Sequence, residues 1–583
     1  MPTSQTSEAS TPQPGVLNAT QRAADLVRME REVFDIVVIG AGSTGTGAAL
    51  DAATRGLNVA LVEARDFAAG TSSRSSKLIH GGLRYLEQLE FGLVREALRE
   101  RGLLLNVLAP HLVRPVSFLL PLEHRIWERP YIGAGLVLYD GLGGAKGLKR
   151  HRHLTKRHAL RIAPGLKPDS LIGAIQYQDG QVDDARHTMT VARTAAAYGT
   201  AVASNAPVVG FLREGGRITG VRIKDLHSGE ETEVRAREVI NASGVWTDDV
   251  QHLIAERGKF RVRASKGVHL VVPRDRIQLD TGLILRTEKS VLFVIPWGRH
   301  WIIGTTDNDW ELDKAHPAAS SSDIDYVLGH VNKVLASPLT HEDVEGVYAG
   351  LRPLLAEENE GTSQLSREHA VASPAPGLVS VAGGKYTTYR VMGRDAVDAA
   401  VRGLDEKVPP SCTQVTPLLG AEGYQVLWNQ RHKLAASSGL HVERIEHLLH
   451  RYGSEIHDLL AEIERTPELG KPLEGAEDYL QVEARYAASH EGALHLDDVL
   501  ARRTRISIET FDRGVAAAEQ AAQLMAEVLG WSDETREHEV DLYRQRVEAE
   551  RDSQTKADDQ AADIARTSVP DSLSASAGEP LVT

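Results

Sequence analysis

Only one cysteine, Cys412, occurs in the 583 residues. A single thiol excludes an internal disulfide and a cysteine-rich metal centre, and it fits a reducing compartment. The chain also lacks an uninterrupted apolar run near the roughly 20 residues a bilayer-spanning helix needs. Its polar start, MPTSQTSEASTPQPG, has no basic-then-apolar secretion signal. A cytoplasmic location, or one on the inner face of the cell membrane, is therefore expected. Basic residues are outnumbered, 66 Lys and Arg against 80 Asp and Glu, for a formal charge of −14. That balance argues against nucleic acid as a partner. An anionic ligand would need a local basic pocket that overrides the global field. The histidines form no short ligand repeat, so no metal site is expected. A GxSxG nucleophile elbow is missing as well, which removes support for serine-hydrolase chemistry.

What is present is ordinary apolar content in a chain too long for one core, so two or three units are expected. Residues 1–32 are Ser/Thr/Gln/Pro-rich, then weakly helical, and are expected to form a disordered arm. From Phe34 onward, short β-branched runs alternate with longer helical stretches. Val59–Val62, Ile218–Ile223, Val239–Ile240, Val268–Val272 and Val291–Ile295 read as strands. Asp183–Tyr198 reads as a helix with an acidic start and a Gly199 stop. Val408–Thr416 has the look of a linker. Beyond it strand signals nearly vanish, and Gln425–Leu434, His441–Tyr452, Ala476–His490 and Arg513–Leu529 read as helices. Residues 552–583 are polar again and are expected to be disordered.

The sharpest local signal is a compact apolar strand, Asp35–Ile39, running into Gly40-Ala-Gly-Ser-Thr-Gly45 and an alanine-rich helix. Gly40 permits the tight turn, Gly42 lets backbone approach a pyrophosphate, and Gly45 lets helix and strand pack closely. The helix start offers free N–H groups and a positive dipole end to phosphates. The next strand ends at Glu63, placed to accept from ribose hydroxyls and to reject a 2′-phosphate. Leu378–Lys385 is a second strand running into glycines, Gly383 and Gly384, and Asn241–Gly244 closes a third. A dinucleotide stretched across a whole domain, as FAD is, needs several such backbone contacts. As ordinary strand exits, the same glycines would need no ligand.

Six motifs in order then carry a resemblance: Gly40–Gly47, Thr71–Leu86 (TSSRSSKLIHGGLRYL), Asn241–Trp246, Gly304–Asp307, Gly350–Pro353 and Gly383–Arg390. Together the chain resembles the flavin-dependent glycerol-3-phosphate dehydrogenases over roughly residues 34–550. The resemblance implies an α/β fold. A three-layer, Rossmann-like FAD domain of the glutathione-reductase type would come from about 34–115, 160–260 and 345–405. A β-rich substrate domain would come from 116–159 and 261–344, and an all-α domain from 411–550. It implies that Ser72, Ser76, Lys77, His80 and Gly81 lie along the flavin. Gly383, Gly384, Lys385, Thr387 and Thr388 would close over it. Arg84, Tyr85, His269, Thr306, Arg352, Arg367 and Lys385 would surround glycerol 3-phosphate. It further implies oxidation to dihydroxyacetone phosphate with a membrane quinone as acceptor, or oxygen in a soluble oxidase. A non-catalytic flavin-fold binding module is the rival of a different class. A homodimer is compatible with the sequence.

Read by their own chemistry, these residues allow alternatives. Arginine binds a phosphate monoester through paired, charge-assisted hydrogen bonds, and Arg84 and Arg352, each beside glycine, are expected on stiff, close-packed loops that suit a pocket better than a helix surface. Arg352 could instead pair with Glu357, Glu358 or Glu360, and Arg84 could be a solvated loop charge. Alcohol oxidation requires loss of the hydroxyl proton, and a side chain near neutral pKa suits the role of base. His269, on an apolar strand, is either that base or a satisfied core histidine, with His80 as second candidate. Finally, no acid occurs from Gly141 to Pro168, while Lys146, Lys149, Arg150, Arg152, Lys156, Arg157 and Arg161 all do. Val116–Pro121, Trp127, Tyr131 and Gly135–Tyr139 precede them. Basic residues beside Trp, Tyr and Leu compose an interfacial anchor for an anionic membrane surface. The alternative is a solvated loop next to core residues.

Overall fold

The computed structural model describes residues 15–82, 90–124, 128–143, 148–254, 261–288, 291–356 and 369–570. Two large sheets organise the chain. In the first, five parallel strands run in the order Leu378–Gly383, Glu231–Asn241, Val33–Ile39, Val59–Val62 and Ala201–Ala203. Phe34, Ile36, Val37 and Val38 are all fully buried, because a central parallel strand is covered on both faces. One face carries the helices Ser43–Thr54, Asp184–Ala197 and Tyr389–Ala400. Gly393 lets two of these touch: a Cβ there would lie 2.6 Å from the Ala48 nitrogen. The opposite face is covered by the hairpin Val208–Glu214 and Arg217–Lys224, which pairs with the start of Glu231–Asn241, together with Met29 of an N-terminal helix.

That helix, Ala19–Arg31, corrects the expectation of a disordered arm as far back as residue 15. Asn18 caps it by accepting from the Gln21 N–H at 2.8 Å, satisfying one orphan donor of the first turn. Burial of Met29 contributes about 1.5–3 kcal/mol, and the Asp25 carboxylate accepts from the Val202 N–H at 3.0 Å. The far end differs likewise. Residues 552–570 include the helix Asp559–Arg566, which corrects the expectation of disorder over that part of 552–583; the rest lies outside the described residues.

The second sheet has ten strands among the described residues and is mostly antiparallel. Its spine is Arg261–Pro273, paired with Gly346–Ala356 in a register that sets Ser265 opposite Arg352, Gly267 opposite Gly350 and His269 opposite Tyr348. Gly173–Gln181 and Gly346–Ala356 belong to this sheet, although their positions in sequence placed them with the dinucleotide sheet. Alternation marks a strand but does not say which sheet takes it. The C-terminal helices, among them Val442–Tyr452, Gln481–His490, Val515–Leu529 and Asp533–Ser553, enclose their own core. Ala476–Leu480 is a short strand rather than the start of a helix. Buried ion pairs join this unit to the dinucleotide sheet: Arg186–Glu491 at 2.8 Å, Arg193–Glu455 at 2.8 Å and Arg503–Asp66 at 2.6 Å.

Candidate active site

A cavity of about 820 Å3 runs between the two sheets, from Glu63 and Arg65 at one end to His269 and Arg352 at the other. Gly40, with φ +97°, turns the chain out of the first strand. A Cβ on Gly42 would meet only the Ser72 hydroxyl, 3.2 Å away, so the backbone here lies bare to the cavity. A Cβ on Gly45 would collide with the Gly40 carbonyl oxygen, so this glycine serves packing. Glu63 accepts from the Ala41 N–H at 2.6 Å and the Arg65 N–H at 2.9 Å, while burial raises its pKa. The Ser72 hydroxyl accepts from Ser43 N–H at the helix start, 2.9 Å. Farther along, the Thr387 hydroxyl accepts from the His80 N–H at 3.1 Å and donates to its carbonyl at 3.2 Å. That pair stitches the two glycine-rich motifs together, with Gly244, Gly383, Gly384 and Lys385 also on the wall.

At the other end, His269 is 2% exposed and stacks on Tyr348, centroids 4.7 Å apart and planes 10° off parallel. Its Nε2 lies 2.8 Å from the Ser76 hydroxyl, and Nδ1 has no partner among the described residues. Burial holds its pKa well below the usual histidine value, and the cations Arg352 and Lys77 push the same way, so the ring is neutral. Arg352 is oriented by Asp307 at 3.1 Å and by the Thr305 hydroxyl and Thr306 carbonyl at 3.1 and 3.2 Å. Asp307 is an ion-pair partner of Arg352; Glu357, Glu358 and Glu360 lie outside the described residues.

Several expected site residues stand elsewhere. The Lys77 ammonium is fully buried, 2.8 Å from Asp184 and 3.1 Å from the Ser73 carbonyl, behind the His269–Tyr348 pair rather than in the cavity. The Thr306 hydroxyl accepts from the Val268 N–H, and its neighbour Thr305 approaches Arg352 instead. The Gly81 N–H donates to the Tyr139 hydroxyl at 2.9 Å. The Thr388 hydroxyl donates to the Lys385 carbonyl. Arg84, Tyr85 and Arg367 lie outside the described residues. Sequence reasoning gave no role to Arg74, Ser265, Asp307 or Tyr348. Arg74 lines the cavity with Nη1 on the Ala315 carbonyl at 2.8 Å, and burial with nearby arginines lowers its pKa to about 9.

The apolar stretch Val116–Pro121 is core, inside the strand Arg114–Leu122. It is not part of an anchor. The next helix, Glu128–Gly143, does turn an uncharged face outward: Tyr131, Val137 and Leu138 are 53%, 63% and 40% exposed. Its inner face brings Tyr139 to Gly81. Lys149, Arg150, Arg152, Lys156, Arg157 and Arg161 follow, all exposed. Trp127 and Lys146 lie outside the described residues. Among the described residues, no helix is long and apolar enough to cross a membrane.

A parallel glycine-turn sheet, an antiparallel partner sheet and a long cavity between them define an FAD-dependent oxidoreductase. The family described as FAD dependent oxidoreductase matches residues 35–390, and the C-terminal domain of alpha-glycerophosphate oxidase matches 411–536. The chain is 61% identical over 555 residues to the glycerol-3-phosphate dehydrogenase of Mycobacterium leprae, covering 95% of each. It is 38% identical over 533 residues to the mitochondrial glycerol-3-phosphate dehydrogenase of Bos taurus, covering 88% of this chain and 72% of that protein. The glycerol-3-phosphate dehydrogenase of Bacillus halodurans, solved in complex with FAD, matches with a TM-score of 0.74 at 29% identity, covering 92% and 98%. The chain belongs to the FAD-dependent glycerol-3-phosphate dehydrogenases, and its cofactor is FAD.

Proposed function

We propose that the protein oxidises sn-glycerol 3-phosphate to dihydroxyacetone phosphate and passes the electrons to a membrane quinone. The observation that carries this reading is one cavity with a glycine-built dinucleotide end and an end bearing a neutral histidine and an oriented arginine. Gly40, Gly42, Glu63, Ser72, Gly244, Gly383, Gly384 and Lys385 would hold the FAD, with Ser76, His80 and Thr387 along its flavin half. When bound, FAD supplies the two-electron acceptor for the carbon–hydrogen bond that breaks. Arg352 receives the substrate phosphate, and Asp307 holds its guanidinium in place beside the cavity. His269, neutral and screened from water, takes the hydroxyl proton at Nε2, beside Ser76. Anaerobic mixing with glycerol 3-phosphate tests this: the oxidised-flavin absorbance should bleach, and an unchanged spectrum would overturn the reading.

The outward apolar face of Glu128–Gly143 and the exposed basic run after it support a membrane-facing acceptor. Its inner face reaches Gly81, so the surface that would meet lipid lies one side chain from the flavin loop. Changing Lys146, Lys149, Arg150 and Arg152 to Gln should lower sedimentation with anionic vesicles and spare turnover with a water-soluble acceptor. Equal pelleting of variant and parent would remove the membrane part. Peroxide release without quinone would instead mark an oxidase.

A further inference from the structure

The last helix among the described residues, Asp559–Arg566, lies beyond both family-matched regions and packs against the substrate end. Lys266 is the centre of that contact. Its ammonium is fully buried, 2.6 Å from Asp323 and 2.5 Å from Asp559, and 4.8 Å from the centre of the Trp310 ring. Ala562 joins Trp310, Ala264 and Leu351 in a small apolar cluster. Just before the helix, the Lys556 carbonyl accepts from the Ser321 N–H and hydroxyl, at 2.8 and 3.0 Å.

Lys266 stands between the residues that build the site. Ser265, on one side, donates to Asp307, the partner of Arg352. Gly267, on the other, forms cavity wall. Leu351, opposite Lys266 across the strands, immediately precedes Arg352. Burying an ammonium costs several kcal/mol before its partners are counted, and an apolar side chain would fill the same volume without that cost. The charge therefore serves position more than stability.

We propose that Asp559 and Lys266 are positioning residues: the C-terminal helix clamps the strand at Lys266 and so sets the placement of Arg352 for the substrate phosphate. This rests on the proposed role of Arg352. Coupling of this kind is worth roughly 3–30-fold in affinity. Asp559→Asn, which leaves Asp323 on the lysine, should raise KM for glycerol 3-phosphate toward the lower end of that range. kcat and FAD content should stay within about two-fold. Asp559→Glu should restore KM. Ala562→Arg, which pushes the helix off its cluster, should raise KM toward the upper end. Inorganic phosphate, titrated against the flavin spectrum of the holoenzyme, should weaken in parallel. Unchanged phosphate affinity and KM in both Asp559→Asn and Ala562→Arg would overturn the proposal, as would an equal fall in kcat or loss of FAD. Failure of the wild-type protein to turn over the substrate would count against the function, whereas the phosphate titration judges the clamp by itself.

Discussion

The two ends of the cavity are built from different material. The dinucleotide end is backbone: a turn at Gly40, bare chain at Gly42, a helix start, and Glu63 braced by two N–H groups. The substrate end is side chains held by other side chains: Arg352 by Asp307, His269 by Ser76 and Tyr348. Backbone needs only the right glycine spacing to offer its donors. A side-chain end needs every brace in place, and its braces come from segments far apart in sequence. Damage to the first should therefore be all-or-none, and damage to the second graded.

The largest contrast is within the glycine loop. Gly45→Val forces a side chain into the Gly40 carbonyl and should yield little folded protein. Gly42→Val has room except toward the cavity, so it should fold with a Tm near wild type yet purify without yellow colour. Full flavin occupancy in Gly42→Val would break the comparison at its stronger end. Next is His269→Asn, which should keep FAD and substrate binding but slow flavin reduction by roughly 10²–10⁴-fold; a rate within a few-fold of wild type would make it a structural histidine. Arg352→Lys keeps charge and loses the fork, so KM for glycerol 3-phosphate should rise about 10–100-fold while unphosphorylated glycerol changes little. Equal effects on both substrates would refute phosphate recognition.

The smallest effect concerns pH. With its pKa held well below 6.5 by burial, His269 stays a neutral base, so flavin reduction at saturating substrate should change less than about three-fold from pH 8 to pH 6. An acid limb centred near 6.5 would indicate a solvated base instead. The linkage to stability has a definite sign. Burial lowers His111 to about 3 and His187 to about 4, so below 6.5 the unfolded chain binds protons that the native state refuses. Stability is full above 6.5 and falls with pH by about 1.4 kcal/mol per unit for each such histidine, until the folded pKa is reached. A Tm that stays level from pH 7 to pH 5 would contradict this.

The same division explains what could be read in advance. The strands Val33–Ile39 and Val59–Val62, the glycine turn between them and the helix opened by Asp183 carry local signals of burial, turn and cap, and each stands where those signals placed it. The docking of the weakly helical N-terminal segment and the helix at Asp559 were not expected, because a few tertiary contacts hold these polar segments in place: Asp25 and Met29 in one, Asp559 and Ala562 in the other. No periodicity announces such tertiary rescue. At the substrate end, spacing does not encode side-chain direction. It could not say that Lys77 turns inward to Asp184, that Thr306 serves the backbone, or that Arg352 is matched by an aspartate 45 positions away.

The bridge at Leu17 has one more consequence, for biosynthesis. Leu17 exchanges hydrogen bonds with His490 and Gly492, its N–H donating at 2.9 Å and its carbonyl accepting at 2.9 Å. These partners leave the ribosome roughly 470 residues later, about 25–95 s at ordinary rates of translation. Through that interval the segment around Leu17 lacks these two partners. A nascent chain halted before Gly492 keeps it loose, and messages cut short there are expected to give products that chaperones retain and proteases clear.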